Sequence, residues 1–412
     1  MTSEASTPST PLEDKGGSSD VARQDAEPNN GVLVSPESDL SPTVTVVMPT
    51  LNEEQGIAEC IERIKTGLRE AGMVGEIVVS DSSTDRTPEI AREMGARVVT
   101  PDKPGYGYAY LYAFDRARGD YVAIGDADTT YDFEELPKLL DLVAHGDADM
   151  AMGSRLEGEI KDGAMPALHQ YIGNPLLTKF LDVFYGAGVT DAHSGFRVID
   201  REELEGLELE TTGMEFASEM IMEASAQGLT IEEVPITYHE REGDATLESF
   251  KDGWRHVKFM LVNAPGYLFS IPGLVLTALG VAVMALAFTG AELGSATFSV
   301  RSMIVGSLLT LVGFEVASLG VFSTVAGNPI RKPSDPVTIW FTNNLTLERG
   351  ATVGFAVFAI GVVYAGLLTS EWITAGYAAL PTLTADIAAF TAIVVGLQAV
   401  FSSFFMSAIA DA

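Results

Sequence analysis

The 412-residue chain predicts an α/β domain built on a mostly parallel sheet, followed by a four-helix transmembrane domain. Three observations predict it. Strand and helix signals alternate from Thr43, apolar content jumps near Leu268, and four apolar stretches beyond that point each approach the ~20 residues that cross a bilayer. The length also exceeds what one hydrophobic core usually organises, so two domains are the starting division.

Residues Met1 to about Leu40 are rich in Ser, Pro, Asp, Glu and Gly and hold too little apolar material to offset ordering entropy. They read as a disordered acidic tail. The sheet domain, with a juxtamembrane helix, is assigned to residues 41–265. Its strands are expected at Thr43–Met48, Glu76–Ser80, Arg97–Thr100, Tyr121–Ile124 and Asp149–Met152. Helical patterns at Glu53–Ala71, Arg86–Met94, Tyr108–Ala117 and Phe133–Ala144 separate them, the alternation that yields parallel strands covered on both faces. The membrane domain is assigned to residues 266–412, with spans at about 268–289, 303–326, 351–368 and 387–409. Four spans return the chain to the side it started from. Arg331, Lys332 and Arg349 fall in the middle loop, whereas Thr369–Asp386 carries no Lys or Arg, so the positive-inside rule puts the middle loop, the sheet domain and both termini in the cytoplasm. Lys251, Arg255 and Lys258 before the first span agree. The sequon Asn344-Leu345-Thr346 would then face the cytoplasm and reads as coincidence. Glu315 lies inside the second span, where an ionisable group is costly; the reading favoured is packing against polar groups of another helix.

Acidic residues outnumber basic ones 57 to 25, a formal net charge of -32. Such a surface repels nucleic acid and suits high salt, where screening makes dense like charge tolerable, so a haloarchaeal source is expected. The single cysteine, Cys60, follows a helical apolar pattern and reads as a packed thiol. No apolar run at the N-terminus suggests a cleaved signal peptide.

The chemistry gathers at strand ends. The first strand runs into Pro49-Thr50-Leu51-Asn52-Glu53-Glu54, at the carboxyl edge where open α/β sheets bind ligands. The second ends in Asp81, placed to accept from the imide or ribose of a nucleotide, followed by Ser82 to Thr87, of which Thr84 or Asp85 reads equally well as a helix N-cap. The strand Tyr121–Ile124 leads into Gly125-Asp126-Ala127-Asp128. Carboxylates at i and i+2 in extended chain point the same way and can share a divalent ion that also touches a pyrophosphate. Asp147-Ala148-Asp149 repeats the pattern but precedes its strand, at the amino edge, and is read as a decoy. Gly153-Ser154-Arg155 brings a guanidinium to the ligand edge, suited to diphosphate, with a surface ion pair as the alternative. Thr190-Asp191-Ala192-His193-Ser194-Gly195-Phe196-Arg197 packs acid, hydroxyl and arginine into one segment. The few histidines lack the spacing of a zinc site, and Ser-His-Asp catalysis is excluded with it.

In this order, Pro49 to Glu54, Asp81 to Thr87, Asp126-Ala127-Asp128, Gly153 to Arg155 and Asp191 to Arg197 resemble family 2 glycosyltransferases, and dolichyl-phosphate mannose and glucose synthases in particular, over about Thr43 to Leu261. Gly213 to Glu219 and Pro235 to Arg241 match later family segments. The resemblance implies a GT-A fold, an inverting mechanism and a Mg2+ or Mn2+ ion on Asp126 and Asp128. It further implies a nucleotide-sugar donor, UDP-glucose or GDP-mannose, and a polyprenyl or dolichyl phosphate acceptor in the bilayer. The donor site would comprise Pro49, Asn52, Glu53, Asp81, Asp126, Ala127 and Arg155. Arg197, Arg241 and Ser194 would hold acceptor phosphate, with Arg331 and Lys332 as weaker candidates. Asp191 and Asp128 are the catalytic candidates, Asp191 orienting sugar or acceptor, or acting as base towards a hydroxyl. Two departures stand out. Thr130 replaces the Gln that often follows the second metal aspartate, which tilts the sugar towards glucose, and Arg241 to Thr246 lacks the lysine of the Arg-x-Gly-Glu-Ser-Lys pattern. No Gln-x-x-Arg-Trp signature of processive polysaccharide synthases occurs. The alternatives are a transferase extending a lipid-linked saccharide and a transporter or scaffold with a degenerate sugar-nucleotide domain; a homo-oligomer stays open.

Overall fold

The computed structural model describes residues 32–36, 38–243, 249–294, 296–326, 330, 347–377 and 382–410. The tail up to Gly31, Asp244 to Thr246, Arg331, Lys332 and the sequon at Asn344 lie outside these residues.

Strands β1 (Val44–Thr50), β2 (Gly75–Asp81), β3 (Arg97–Val99) and β4 (Tyr121–Ile124) alternate with helices α1 (Ile57–Ala71), α2 (Thr87–Glu93) and α3 (Tyr106–Phe114). Next come α4 (Leu136–Ala144), β5 (Met150–Ile160), α5 (Asn174–Tyr185), β6 (Arg197–Asp200), α6 (Arg201–Gly206), α7 (Phe216–Gln227) and β7 (Ile231–Tyr238). The sheet order is β3-β2-β1-β4-β6-β5-β7, and only β6 runs against its neighbours. Fully buried strands explain the near-continuous apolar runs: Val44, Val46 and Met48 join one core with α1 and α4, while Val47 joins a second core with α3, α5 and α7 on the opposite face. Cys60 is buried in the first core, and burial pushes its thiol up to about 12, an inert packed group.

The expected strands lie within two residues of those observed except the last. β5 continues to Ile160, pairing with β7 through a register shift between Ser154 and Glu159. That extension builds a ribbon beyond the sheet edge, carrying Arg155 at its root.

Helix α8 (Ser249–Val262) leads towards four long apolar helices, α9 (Ile271–Thr289), α10 (Val300–Ala326), α11 (Leu347–Thr374) and α12 (Leu383–Ala410). Glycines let backbones touch. A Cβ at Gly280 would collide with the Thr310 backbone and one at Gly273 with Ala317, so α9 and α10 run antiparallel at contact distance. Gly354 against Val400 and Gly361 against Ile393 do the same for α11 and α12. Between α10 and α12, Ser307 meets Thr391 at 2.7 Å, Gln398 donates to Glu315 at 3.3 Å, and Phe322 packs on Phe405, pairs that climb both helices together and make them parallel. Glu315 thus has the polar interhelical partner that its position in a span demands.

Candidate active site

The carboxyl ends of β1, β2 and β4 meet at one edge of the sheet. There Thr50 Oγ1 donates to Asp81 Oδ1 at 2.7 Å, joining the first two motifs, and the Asn52 backbone N–H donates to Ser83 at 2.7 Å while its side chain accepts from the Thr84 N–H at 2.9 Å. Asn52 adopts φ 63, a left-handed geometry that Asn tolerates, which turns the chain from Pro49 back to the helix α1 entry. Asp85 accepts from the Thr87 N–H at 3.0 Å and from the Thr87 hydroxyl at 2.6 Å, a turn one residue ahead of Arg86, the residue at the N-cap position of α2.

Asp126 and Asp128 stand at the end of β4. Burial, then the charge of Asp128, pushes the Asp126 carboxyl up to about 7, and Tyr106 Oη donates to its Oδ1 at 2.9 Å. Asp128 Oδ1 accepts from Thr130 Oγ1 at 2.6 Å, while its Oδ2 lies 3.4 Å from Arg241 Nε. Thr130 therefore orients the second aspartate through its hydroxyl. Between them Thr129 takes φ 66, a strained geometry for a β-branched residue, and Ala127 is buried with its carbonyl close to Gly56 at the start of α1. Arg241 also donates to Glu53 Oε1 at 2.8 Å, so one guanidinium ties the first-strand motif to the acidic pair. Burial raises the Glu53 carboxyl, against the pull of Arg241.

These oxygens fit a divalent cation. A hard dication would relieve the charge that Asp128 places beside the buried Asp126 carboxyl. Among the described residues no third acid, His or Cys completes a ligand cluster, so water and donor phosphate would supply the remaining positions, as suits Mg2+. The decoy pair sits at the opposite edge, where Asp149 Oδ2 accepts the Thr230 N–H at 2.7 Å.

The arginines behave differently from the expectation. Arg155 is buried and bidentate to Asp191, with Nε to Oδ2 at 2.7 Å and Nη2 to Oδ1 at 2.8 Å, and its backbone N–H takes the same carboxylate at 3.0 Å. Asp191 is 0% exposed. With both oxygens engaged it is not free to act as a base in this arrangement, and Arg155, expected to reach donor phosphate, spends its fork on Asp191. The surface-ion-pair alternative for Arg155 also falls, because the pair is buried. Arg197 is likewise buried, donating through Nε to the Ser194 carbonyl at 2.9 Å and through Nη2 to the Ala192 carbonyl at 3.0 Å. Among the described residues, its Nη1 and the Ser194 hydroxyl are buried without a hydrogen-bond partner. Two such donors on one short segment suit an anion better than an apolar neighbour.

Three residues enter the site that sequence reasoning did not single out. Tyr106 holds Asp126, Tyr131 Oη accepts from the Gly195 N–H at 2.7 Å, and Glu233 accepts the backbone N–H groups of Thr190 and Asp191 at 2.5 and 2.9 Å. The spacing Gly105-Tyr106-Gly107 was the available signal for the first: a Cβ on either glycine would collide with carbonyls of Thr211 or Thr212, and Gly105 adopts φ 140.

Comparison with known proteins completes the assignment. Residues 45–207 match glycosyl transferase family 2, and residues 323–410 match the glycosyltransferase family 2 C-terminal transmembrane region. A Haloferax volcanii protein named low-salt glycan biosynthesis hexosyltransferase Agl6 is 62% identical over 92% of this chain and 92% of its own length. A dolichyl-phosphate hexose transferase of the same organism is 40% identical over 51% of this chain and 89% of its own. The dolichol-phosphate mannosyltransferase of Pyrococcus furiosus is 30% identical over 56% and 68%. The scaffold and transporter alternatives give way to an enzyme. A mostly parallel GT-A domain with its strand-end acids, joined to four membrane-compatible helices and matched along nearly the whole chain, belongs to glycosyl transferase family 2 and is a membrane glycosyltransferase.

Proposed function

We propose that the enzyme transfers a hexose, with inversion, from a nucleotide-sugar to dolichyl or polyprenyl phosphate at the cytoplasmic face of the membrane. The observation that carries this reading is the meeting of Asp126, Asp128, Arg241 and Glu53 at one sheet edge of a domain joined directly to four apolar helices. Asp81 and Asn52 would receive the nucleoside at the ends of β1 and β2. A Mg2+ or Mn2+ ion held by Asp126 and Asp128 would supply charge neutralisation for the leaving diphosphate. Arg241 would donate to phosphate, and Ser194 with Arg197 Nη1 would bind the acceptor phosphate through their unpartnered hydrogens. An acceptor phosphate is already anionic near neutral pH, so a strong general base is not required. The engagement of Asp191 by Arg155 supports this: the acid serves to hold the loop from Thr190 to Arg197.

The two relatives named for dolichyl or dolichol phosphate favour that acceptor, whereas the name of the 62% identical relative specifies a hexosyltransferase without an acceptor. Extension of a lipid-linked saccharide is therefore the second reading. Membranes carrying the enzyme, incubated with labelled UDP-glucose, GDP-mannose and related donors together with either polyprenyl phosphate or a lipid-linked saccharide, decide between them. Label in a monoglycosyl phosphate lipid is the expected result; label only in lengthened saccharides would overturn it.

A further inference from the structure

His193 sits two residues beyond Asp191, in the loop that carries Ser194 and Arg197. Its Nε2 lies 3.2 Å from the hydroxyl of Ser218 on α7, and that hydroxyl lies 2.8 Å from Nδ1 of His256 on α8. The two imidazoles meet edge to face, with centroids 4.7 Å apart. Ser218 is 0% exposed and His256 8%. Phe216, Met220 and Met260 are all buried in the core that α7 and α8 share, while Arg155 and Arg197 approach His193 from the side of the loop. Polar groups buried in such a layer cost free energy unless they are hydrogen-bonded, and Ser218 joins the two rings through one hydroxyl. Burial and the neighbouring His256 ring hold His193 well below the usual imidazole range, so it stays neutral, with one ring nitrogen to donate and one to accept.

Helix α8 has two faces. His256 and Met260, with Ala264 just past its end, are buried, whereas Trp254, Lys258 and Val262 are exposed. Exposed aromatic, basic and aliphatic groups at successive turns suit a water–lipid boundary. A second tie runs from the inner face, where Tyr185 Oη donates to the Met260 carbonyl at 3.2 Å, and α5, which Tyr185 ends, accepts the Ala192 N–H on Thr178 Oγ1 at 3.2 Å. The loop from Thr190 to Arg197 is thus held to α8 on two sides. Helix α7 serves the other flank of the site too: Glu219, next to Ser218, accepts the N–H groups of Glu210 and Thr211, and the following Thr212 carbonyl abuts Gly105, beside the Tyr106 that holds Asp126.

We propose that His193, Ser218 and His256 form a strut through which the seating of α8 at the membrane sets the position of the Asp191–Arg197 loop, with Ser218 as a positioning residue at its centre. The consequence for transfer rests on the reaction proposed above; the mechanical coupling does not.

The test uses the full chain in vesicles containing polyprenyl phosphate. Ser218→Ala removes both hydrogen bonds with little change of volume, His256→Phe keeps the ring but not the bond, and His256→Asn retains a polar group near the Nδ1 position. Hydrogen–deuterium exchange of residues 190–196 should rise at least tenfold in Ser218→Ala and His256→Phe while residues 76–81 in β2 stay unchanged. Nucleotide-sugar affinity should hold within about twofold while kcat towards the lipid falls about tenfold or more. The double variant should be no worse than either single one, and His256→Asn should recover most of the loss. Unchanged exchange at 190–196 in both Ser218→Ala and His256→Phe, or strictly multiplicative losses in the double variant, would overturn the strut. If the unaltered enzyme labels no polyprenyl phosphate, the proposed reaction fails and the exchange measurements alone decide the coupling.

Discussion

At the residue scale the two Asp-Ala-Asp pairs give a direct contrast. Asp126→Asn or Asp128→Asn keeps shape but removes a hard anionic oxygen from the proposed cation, and loss of metal-stabilised charge should cost on the order of a thousandfold in transfer rate. The same change at Asp147 or Asp149, at the amino edge of the sheet, should leave the rate within a few-fold; the reverse outcome, in labelled-donor assays, would put the site at the wrong edge. The raised carboxyl of Asp126 makes a second prediction. Between the ordinary aspartate value and about 7 the folded, cation-free protein keeps a proton that the unfolded chain has lost. Stability should therefore fall as pH rises through that window, by at most about 1.4 kcal/mol per pH unit, and level off above it. Thermal unfolding with chelator should show the fall, Asp126→Asn should flatten it, and Mn2+ should restore more stability at pH 8 than at pH 5. A third prediction separates structure from chemistry at Asp191. Asp191→Ala strands the buried Arg155 and should cost about 3–5 kcal/mol in denaturant unfolding; a normal unfolding curve with a dead enzyme would return Asp191 to the role of a base. Legibility at this scale followed backbone position. Asp81, Asp126 and Asp128 could be read because a strand end fixes where a side chain goes. The pairing of Arg155 with Asp191 could not, since 36 residues separate them and only the fold brings them together.

At the element scale, the regular alternation from β1 to β4 was readable because β1, β2 and β4 are buried on both faces and α1 keeps an apolar stripe. Beyond α4 the signal weakens for physical reasons. β6 has only Val198 and Ile199 as apolar content and enters the sheet antiparallel, which no alternation rule announces. The outer half of β5 carries exposed charges because it is ribbon, not core, and β7 mixes two glutamates with a proline. The helices α5 to α7 were not assigned individually from the sequence; they pack by contacts such as Tyr110 stacked on Phe216 at 5.0 Å. The junction with the membrane helices yields the element-scale prediction. Tyr267 packs on Phe184 of α5 at 4.8 Å, so a chain ending just beyond Tyr267 keeps that contact while losing α9 to α12. Such a fragment should bind nucleotide-sugar normally, by calorimetry, yet lose at least about tenfold in transfer to long-chain polyprenyl phosphate, because the acceptor's tail resides where the helices were. Undiminished transfer would reduce the helices to an anchor.

At the scale of the whole molecule the governing quantity is the charge of -32. At molar salt the Debye length is about 3 Å and neighbouring carboxylates scarcely sense one another; at ~0.1 M it reaches about 10 Å and repulsion spans the surface. Circular dichroism of the detergent-solubilised enzyme should show loss of structure as salt is lowered across that range, and full structure at low salt would end the idea of a salt-adapted surface. The four helices carry a different consequence. Because α10 and α12 climb in parallel while each is antiparallel to its hairpin mate, the chain leaves α12 on the side from which it entered α9. A reporter fused after α12 would share the compartment of the sheet domain, so a pair of tags, one read by a protease and one by fluorescence, maps sidedness without touching the active site. Lipid traffic inherits the same asymmetry. Within each hairpin, glycines bring the helix backbones together with no width for a hydrated sugar headgroup between them. Under the proposed reaction, the glycolipid finds no path between the paired helices of either hairpin, so turning it over to the far leaflet would call for a route outside them.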